Sequence, residues 1–429
     1  MHAVAVSRRG IQSWYSVDTA DTSAEQVAQA FDSVLAQLLE SDAGASQGAE
    51  SVVSITFEVS ELLRPDASSR VALVRIAPRA PIDAVHELRR QVDEFDPARI
   101  IHVSGGHSSF GDELVPLDTA QLRGIAASAP KGERYVITSV GSYVNTEHEL
   151  AAGRIISEVA APRSIDYSHS FYSNTVGIRE RTALVNSAVL PGAEAVATTL
   201  GLVAGRRTPA ARLYVTTNDG GCVPLARLSV NPVHSMYATK ATQMVGASEL
   251  QGVNTGRVLV VSQDSAFLGE VAEGAIVVGP GFRDPKGARL ATKAANLAEY
   301  SHAAIAREPG YPVVISSEAD EAAWQNERHP PRRAEVDLGA LGAACSPLVD
   351  WVNRVVRVRT DEQFRQALAA AEARVRTRLV SFGAAPSSVR ILESRAEAAT
   401  FRHRSVVALR VRGIAERAAM DLSGVERSS

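Results

Sequence analysis

Residues 136–158, VITSVGSYVNTEHELAAGRIISE, contain the strand-to-helix transition on which the predicted fold depends. The apolar run Tyr135 to Val140 predicts a strand. A helix is predicted from Thr146, because Glu149 follows three residues later in the spacing of a capping box. A strand that leads into a helix is the unit from which α/β proteins are built. If the alternation recurs along the chain, the protein has an α/β fold.

The alternation continues on both sides of this stretch. The near-continuous apolar run Val71 to Ile76 is typical of a buried strand, and the alanine-rich segment Lys286 to Arg307 predicts a long helix. Prolines and charges between Glu318 and Pro347 predict a surface connection. Further helices are predicted at 22–38, 85–92, 182–205, 238–250 and 361–379, and further strands at 2–6, 11–17, 53–59, 257–261, 275–278, 389–392 and 405–411.

The composition limits the possible functions. The chain has 429 residues, enough for two domains, and its 45% apolar and 22% charged residues are typical of a globular protein. A net charge of −3 predicts no nucleic-acid partner and no anionic membrane partner. Cys222 and Cys345 have no metal or redox spacing, so we expect no metal site and a cytoplasmic location, with a catalytic Cys222 as an alternative. No run approaches the roughly 20 apolar residues of a membrane helix.

Four stretches match the motifs of one protein family in the same order. They are GGHSSFGDELVPLD (105–118), SYVNTEHE (142–149), IRERTALVNSAVLPG (178–192) and TTNDGG (216–221). Thr146 stands where the second motif usually has proline. In these stretches, and from the N-terminus to about residue 280, the chain resembles the A-type subunits of the hydantoinase/oxoprolinase family.

The resemblance implies a fold and a reaction class. The implied fold is an actin-like, two-domain α/β architecture of ribonuclease-H-like domains with mixed sheets and a central cleft. We expect an N-terminal domain over residues 1–185 and a second, shortened domain over residues 186–429. Active members of the family use ATP to activate a carbonyl or amide oxygen, commonly beside a separately encoded B-type partner.

The three segments that contact nucleotide in the family are altered here. They correspond to residues 7–13, 238–247 and 262–267, which read SRRGIQS, ATKATQMVGA and SQDSAF. A phosphate loop needs glycine because its backbone must approach the phosphate closely, and Mg²⁺ needs hard oxygen ligands. The first segment has one glycine and no acid, and serine replaces the leading acid of the third. We therefore predict loss of family-style ATP·Mg binding and no bound cofactor, with Arg8, Arg9 and Lys240 either solvated or binding another anion.

Candidate site residues lie near predicted strand ends, where ligands bind in open α/β sheets. We predict catalytic roles for Asp264, Ser262 and His234, and substrate-binding roles for Asn218, Asp219, Lys240 and Arg181. For Ser262 and Asp264 an ordinary polar turn is an equal alternative. For the Glu180–Arg181 dipeptide an internal ion pair that joins two elements is favoured over substrate binding. His148, in the first turn of its helix, is expected to bond locally or face solvent.

Two functions remain open at this point. The chain could be a divergent relative that acts on a small carbonyl or cyclic-amide compound in the cleft, by amide hydrolysis or a carboxylase-related reaction, without ATP. It could instead be a non-catalytic scaffold or regulatory subunit that assembles with a B-type partner or with itself. A cleft with several convergent polar groups would favour the first function, and a cleft filled by apolar side chains would favour the second.

Overall fold

The structure is a computed structural model that describes residues 2–7, 10–17, 23–40, 52–65, 71–79, 97–262, 265–279, 281–284, 287–301, 311–316, 331–399 and 405–417. The predicted helix at 85–92 lies outside these residues. The helices are α1 (Ala24–Glu40), α2 (Thr119–Ala127), α3 (Glu147–Ala160), α4 (Val176–Arg207), α5 (Thr239–Leu250), α6 (Leu338–Cys345) and α7 (Asp361–Ser381).

The strands follow the same α/β alternation. They are β1 (His2–Ser7), β2 (Gly10–Ser16), β3 (Ser54–Phe57), β4 (Val71–Ala77), β5 (Arg99–Ser104), β6 (Arg134–Ser139), β7 (Ser164–Tyr167), β8 (Arg212–Thr216), β9 (Cys222–Pro224), β10 (Gly256–Val261), β11 (Ala266–Ala272), β12 (Ala275–Ile276), β13 (Phe282–Arg283), β14 (Arg289–Leu290), β15 (Ala298–Tyr300), β16 (Val313–Ile315), β17 (Arg332–Arg333), β18 (Leu348–Arg357), β19 (Arg390–Ala398) and β20 (Val406–Ala415).

A four-stranded parallel sheet of order β5-β4-β6-β7 has helices on both faces. Leu73 and Val136 face the core that includes α4, whereas Val74 and Ile137 face the core that includes α2 and α3. Burial on both faces explains why β4 is a continuous apolar run in the sequence. On the α4 face Arg75 forms two hydrogen bonds with Glu180, of 2.5 and 3.0 Å. Glu180 thus joins α4 to β4, and the ion pair expected for Arg181 stays a prediction.

A mixed sheet of order β12-β11-β10-β16-β17 combines three antiparallel strands with two that run parallel to β10. Helices α5 and α6 cover it, and Met244 and Leu338 pack into its core. Part of the expected surface connection is wrong, because α6 lies within 318–347 and buries Leu338 and Leu341. The prolines and charged residues of 318–347 lie outside the apolar helix α6, which packs against the sheet.

The third sheet joins the two ends of the chain, with the order β19-β20-β18-β9-β8-β3. Helix α7 packs on it through Val375 and Leu379, which share a core with Leu409 and Val411. Since β3 precedes residue 185 and the other strands follow it, this sheet combines both predicted domains. Helix α4 runs across residues 185 and 186, and the division there stays a prediction.

The alanine-rich helix predicted from Lys286 to Arg307 is wrong wherever the structure describes it. Residues 287–301 form the short strands β14 and β15 and an extended connection. Backbone donors in this connection bond distant segments: Ala295 N donates to Asn218 O at 2.7 Å, and Asn296 N donates to Val277 O at 2.8 Å. These tertiary bonds replace the local bonds that a helix would make, so they override alanine propensity.

Helix α4 has the length and composition of a membrane span, which the sequence interpretation did not anticipate. In the structure it packs against α1, β4 and β6 and buries Val185, Val189 and Leu200 in a central core. Pro191 lies within it.

Candidate functional site

The main cleft of the described structure has a volume of about 2330 Å³. Its walls come from the segment after β7, the β8–β9 turn, the segment before α5, residues 289–299, β18 and α7. Four of the seven predicted site residues line it: Asn218, Asp219, His234 and Lys240. Ser262 and Arg181 lie elsewhere, and Asp264 is outside the described residues.

The turn between β8 and β9 forms part of the cleft wall. Gly220 N donates to Thr217 O at 3.0 Å, and Thr217 N donates to Gly221 O at 2.8 Å. Gly220 has a φ of +80°, and a Cβ there would lie 2.7 Å from Ile276. At Gly221 a Cβ would lie 2.5 Å from Val349. Backbone conformation and packing therefore both explain the glycine pair.

Asp219 is the centre of a buried hydrogen-bond network behind this turn. Its Oδ1 accepts from Thr217 Oγ1 at 2.6 Å and from Gly221 N at 3.2 Å. Its Oδ2 accepts from Trp351 Nε1 at 2.6 Å, which ties the turn to β18. Arg412 donates to the Asp219 carbonyl at 3.3 Å and lies 5.1 Å from the Trp351 ring centroid. The carboxylate is held by protein donors, so its predicted role in substrate binding stays a prediction.

Asn218 is anchored in a similar way. With its amide nitrogen turned towards the carbonyl oxygens of His234 and Lys293, its amide oxygen accepts from Thr292 Oγ1 at 3.3 Å. Its backbone N–H also donates to His234 O at 2.8 Å. Asn218 therefore joins three segments of the cleft wall, and its predicted contact with a ligand stays a prediction.

His234 and Lys293 are two half-buried basic side chains in this wall. Burial lowers the pKa of His234 to about 4, and the charges of Arg227 and Lys293 add to that lowering, whereas Asp219 opposes it. Burial, with Arg410 nearby, lowers the pKa of Lys293 to about 8. The Lys293 Nζ lies 5.5 Å from the Trp351 ring centroid. Near neutral pH this wall thus offers an uncharged imidazole and an amine that is partly deprotonated.

A buried carboxylate orients a second histidine of the cleft. Glu149 is fully buried and accepts from Ser139 N at 2.8 Å, from Ser168 Oγ at 2.6 Å and from His169 Nδ1 at 2.6 Å. His169 lines the cleft, so its Nε2 is the nitrogen left for a ligand. Such carboxylate–histidine pairs fix the tautomer of an imidazole that moves protons. The T-x-x-E spacing was therefore misinterpreted, because Glu149 serves this network and the Thr146 side chain makes no capping bond.

His148, the neighbour of Glu149, is buried rather than exposed to solvent. Its Nδ1 accepts from Gly106 N at 2.8 Å, which leaves Nε2 to donate to Glu113 Oε1 at 2.9 Å. The expectation that His148 bonds locally or faces solvent is wrong, since the ring bonds to residues 42 and 35 positions away and holds the glycine-rich loop after β5 against α3.

Asp350 is an acidic side chain that lines the same cleft. Burial raises its pKa to about 6, although Arg378 lies 3.2 Å from Oδ1 and opposes that rise. Its Oδ2 is buried and has no hydrogen-bond partner in the described part of the chain. A carboxyl group with a raised pKa in a cleft is a candidate proton donor.

The remaining predicted residues are distributed differently. Lys240 lines the cleft and forms a 2.8 Å ion pair with Glu299. Arg181 lies on α4, where burial lowers its pKa and Asp284 opposes this lowering. Cys222 is fully buried, and burial raises the pKa of its thiol to about 11, which argues against a catalytic thiol.

The sequence resemblance predicts two phosphate loops of the family at the β1–β2 and β10–β11 connections. Strands β1 and β2 remain paired up to Ser7 and Gly10, so residues 8 and 9 alone connect them. Arg8 and Arg9 themselves lie outside the described residues. Between β10 and β11, Ser262 N donates to Ser265 O at 2.9 Å, and the Ser262 hydroxyl donates to the same oxygen at 2.7 Å. The hydroxyl that replaces the family's acid is thus bonded within its own turn.

Sequence reasoning missed His169, Lys293, Trp351 and Asp350. His169 lies 20 residues from the carboxylate that orients it, and Trp351 lies 132 residues from Asp219. A short sequence motif cannot predict hydrogen bonds between residues that are this far apart in the chain. Lys293 was missed because its segment was predicted to be an alanine-rich helix that serves packing alone.

Comparison with known proteins agrees with this architecture. Residues 3–160 match the sequence profile of the hydantoinase/oxoprolinase N-terminal region. A nucleotide-free acetone carboxylase, from work on ATP-dependent acetone carboxylation, is similar with a TM-score of 0.63 and 10% identity over 94% of this chain and 84% of that chain. An ATP-dependent caprolactamase from Pseudomonas jessenii is similar with a TM-score of 0.67 and 13% identity over 96% of this chain and 85% of that chain. The search of curated proteins gives no match.

These two structures share the fold of the chain, and the sequence match covers its N-terminal region. The mixed α/β architecture is the actin-like, ribonuclease-H-like fold that the resemblance implied. Residues 3–160 of the chain therefore carry a hydantoinase/oxoprolinase N-terminal region.

Proposed function

We propose that this protein binds and acts on a small carbonyl or amide compound in the main cleft, without the ATP·Mg chemistry of its family. The observation that carries the proposal is the convergence of His169, His234, Lys293 and Trp351 on one open cleft. A proton acceptor, an amine and an aromatic surface are the groups that a carbonyl reaction uses. An amide-hydrolysing or carboxylase-related reaction is the class we favour.

Loss of ATP use is supported by the turns. A phosphate cradle requires several backbone N–H groups that converge on one point. Only Arg8 and Arg9 lie between the paired strands β1 and β2 in the sequence, and neither is the glycine that a close approach to phosphate needs. In the β10–β11 turn, the hydroxyl that would face Mg²⁺ donates to Ser265 O. These residues do not fit ATP·Mg in the family manner, and no step of the proposed reaction uses it.

The scaffold alternative is less well supported. A scaffold needs no open site, whereas the cleft of about 2330 Å³ is lined by charged and hydrogen-bonding groups from several elements. We propose a cytoplasmic location, consistent with two free cysteines. Assembly with a B-type subunit or with itself is also proposed, and light scattering of the purified chain alone and with such a subunit tests it.

Thermal unfolding with and without ligands tests the proposed function. A ligand at 100 times its Kd stabilises a protein by about 2.7 kcal/mol, so a bound small ketone or cyclic amide is expected to raise Tm clearly. ATP·Mg is expected to leave Tm unchanged, with the P. jessenii caprolactamase as a control for which a shift is expected. A shift with ATP·Mg would refute the loss of nucleotide use. A panel of small carbonyl and amide compounds that leaves Tm unchanged would refute the proposed ligand class.

A further inference from the structure

Lysine is rare in this chain, and its distribution is uneven. Of 45 basic residues (lysine and arginine), four are lysines: Lys131, Lys240, Lys286 and Lys293. Two of these four line the main cleft. Arginine thus supplies nearly all the positive charge elsewhere. A lysine in the cleft offers what arginine cannot, because its amine can lose a proton and act as a nucleophile.

The two cleft lysines differ in their surroundings. Lys240 forms an ion pair with Glu299 at 2.8 Å, and its side chain is 40% exposed. Lys293 is half-buried, and no carboxylate of the described residues lies within ion-pair distance of its Nζ. Its backbone carbonyl is held by the Asn218 amide, which fixes the base of the side chain. Lys293 is therefore a positioned amine without a neutralising partner.

The charged groups around Lys293 come from several elements. They are Asp219 of the β8–β9 turn, Glu393 and Glu397 of β19, and Arg410 of β20. Burial together with Arg410 outweighs the three carboxylates, so the net effect favours the neutral amine, with a pKa of about 8. At pH 7.5 roughly a quarter of such an amine is neutral, against about 0.1% for an ordinary lysine of pKa about 10.4.

Arg227 is a second cation of this wall without a carboxylate partner. It lines the cleft, and its Nη2 lies 3.2 Å from the Asn231 amide oxygen once that amide is turned. No ion pair joins it to a carboxylate of the described residues; burial and the charge of Arg378 lower its pKa, whereas the charge of Asp350 opposes this lowering. Arg227, Lys293 and His234 all line the cleft, and the charges of the first two act on His234. A guanidinium that is free to bind two oxygens suits a substrate carboxylate.

We propose that Lys293 forms an imine with the carbonyl group of a small oxo acid, whose carboxylate binds Arg227. The proposal rests on the proposed function and specifies its substrate class. The neutral amine attacks the carbonyl carbon, and one of its two N–H protons passes to the carbonyl oxygen, which becomes a hydroxyl. His234, uncharged at this pH, accepts the second N–H proton and returns it to the hydroxyl, which leaves as water. One C=N bond replaces one C=O bond, and no oxidant or reductant is consumed.

Reductive trapping tests this directly. The full-length protein is incubated with glyoxylate and sodium cyanoborohydride, and peptide mass spectrometry then quantifies the adduct at each of the four lysines. We expect at least about tenfold more adduct at Lys293 than at Lys240. The yield at Lys293 should rise between pH 7 and 9, with its midpoint near 8. Equal yields at both cleft lysines, or no adduct at Lys293, would overturn the proposal.

Matched variants separate the roles. Lys293→Arg keeps the charge and should abolish the dominant adduct, whereas Lys240→Arg should leave it unchanged. Arg227→Gln should lower trapping of glyoxylate severalfold and leave trapping of propanal, which has no carboxylate, unchanged. An equal effect on both aldehydes would refute the carboxylate contact. Circular dichroism confirms that each variant is folded.

Calorimetry distinguishes failure of this proposal from failure of the proposed function. Pyruvate and a five-membered cyclic amide are titrated into the wild type and into Lys293→Arg without a reductant. Binding without any trapped adduct would reject the imine and leave the proposed function standing. If neither compound binds the wild type and no adduct forms, both proposals are rejected.

Discussion

Two turns that join antiparallel strands are held by different hydrogen bonds in this protein. The β8–β9 turn keeps its glycine pair and is tied to β18 and β20 through Asp219. At the β10–β11 turn the sequence resemblance predicts a phosphate loop with serine in place of the leading acid, and this Ser262 bonds to Ser265 within the turn. A buried side chain that hydrogen-bonds to distant strands is costly to substitute. A turn whose side-chain hydrogen bonds lie within the turn tolerates substitution better. The surviving glycines therefore report on packing rather than on phosphate binding.

Removal of the Asp219 carboxylate should give the largest effect. Asp219→Ala leaves Trp351 Nε1, Thr217 Oγ1 and Gly221 N without their acceptor in a buried site. We expect the free energy of unfolding in urea to fall by about 3 to 5 kcal/mol. Asp112→Ala is the control, because Asp112 is an exposed partner of Arg357 and should contribute less than about 1 kcal/mol. Equal losses in the two variants would contradict the contrast between the turns.

The network around Asp219 marks the limit of what the sequence predicts. The strand β6 and the helices α3, α4, α5 and α7 are predicted by local sequence patterns, and the structure confirms them, although the capping box used to predict α3 does not form. The extended segment that contains Lys293 does not, because its backbone pairs with residues such as Asn218 that are distant in sequence. The walls of the cleft are held by hydrogen bonds between residues that are far apart in the sequence. The spacing of residues therefore predicts the turns but not the side chains that lie opposite them.

Protonation of His234 should destabilise the wall that contains the β8–β9 turn. Its folded pKa of about 4 lies below the usual 6.5, so the native state favours the neutral ring. The corresponding stability is present above pH 6.5 and is lost as the pH falls from 6.5 through 4. After allowance for partial exposure to the cleft, we expect a loss on the order of 2 kcal/mol over this range.

The difference in unfolding free energy between the wild type and His234→Gln measures this loss. The difference should shrink as the pH falls from 7 to 4 in urea titrations. Asp350 has the opposite sign, because its raised pKa of about 6 stabilises the protein at low pH and this stability is lost as the pH rises from 3.8 through 6. Both proteins contain Asp350, so its contribution cancels to first order. A difference that does not change with pH would show that His234 protonates freely in the native state.

Removal of one hydroxyl from each turn compares the two turns on equal terms and should give the smallest effects. Thr217→Val keeps the volume but removes a 2.6 Å bond to the Asp219 carboxylate, and bonds to charged groups contribute about 1.5 to 3 kcal/mol. Ser265→Ala removes a hydroxyl whose nearest side-chain partner among the described residues, Ser262 Oγ, is 3.4 Å away, so its effect should stay within about 0.5 kcal/mol. Urea unfolding of both variants measures the contrast. If Ser265→Ala cost as much as Thr217→Val, the β10–β11 turn would be under a constraint of its own, and its divergence from the family motif could no longer be attributed to freedom to change.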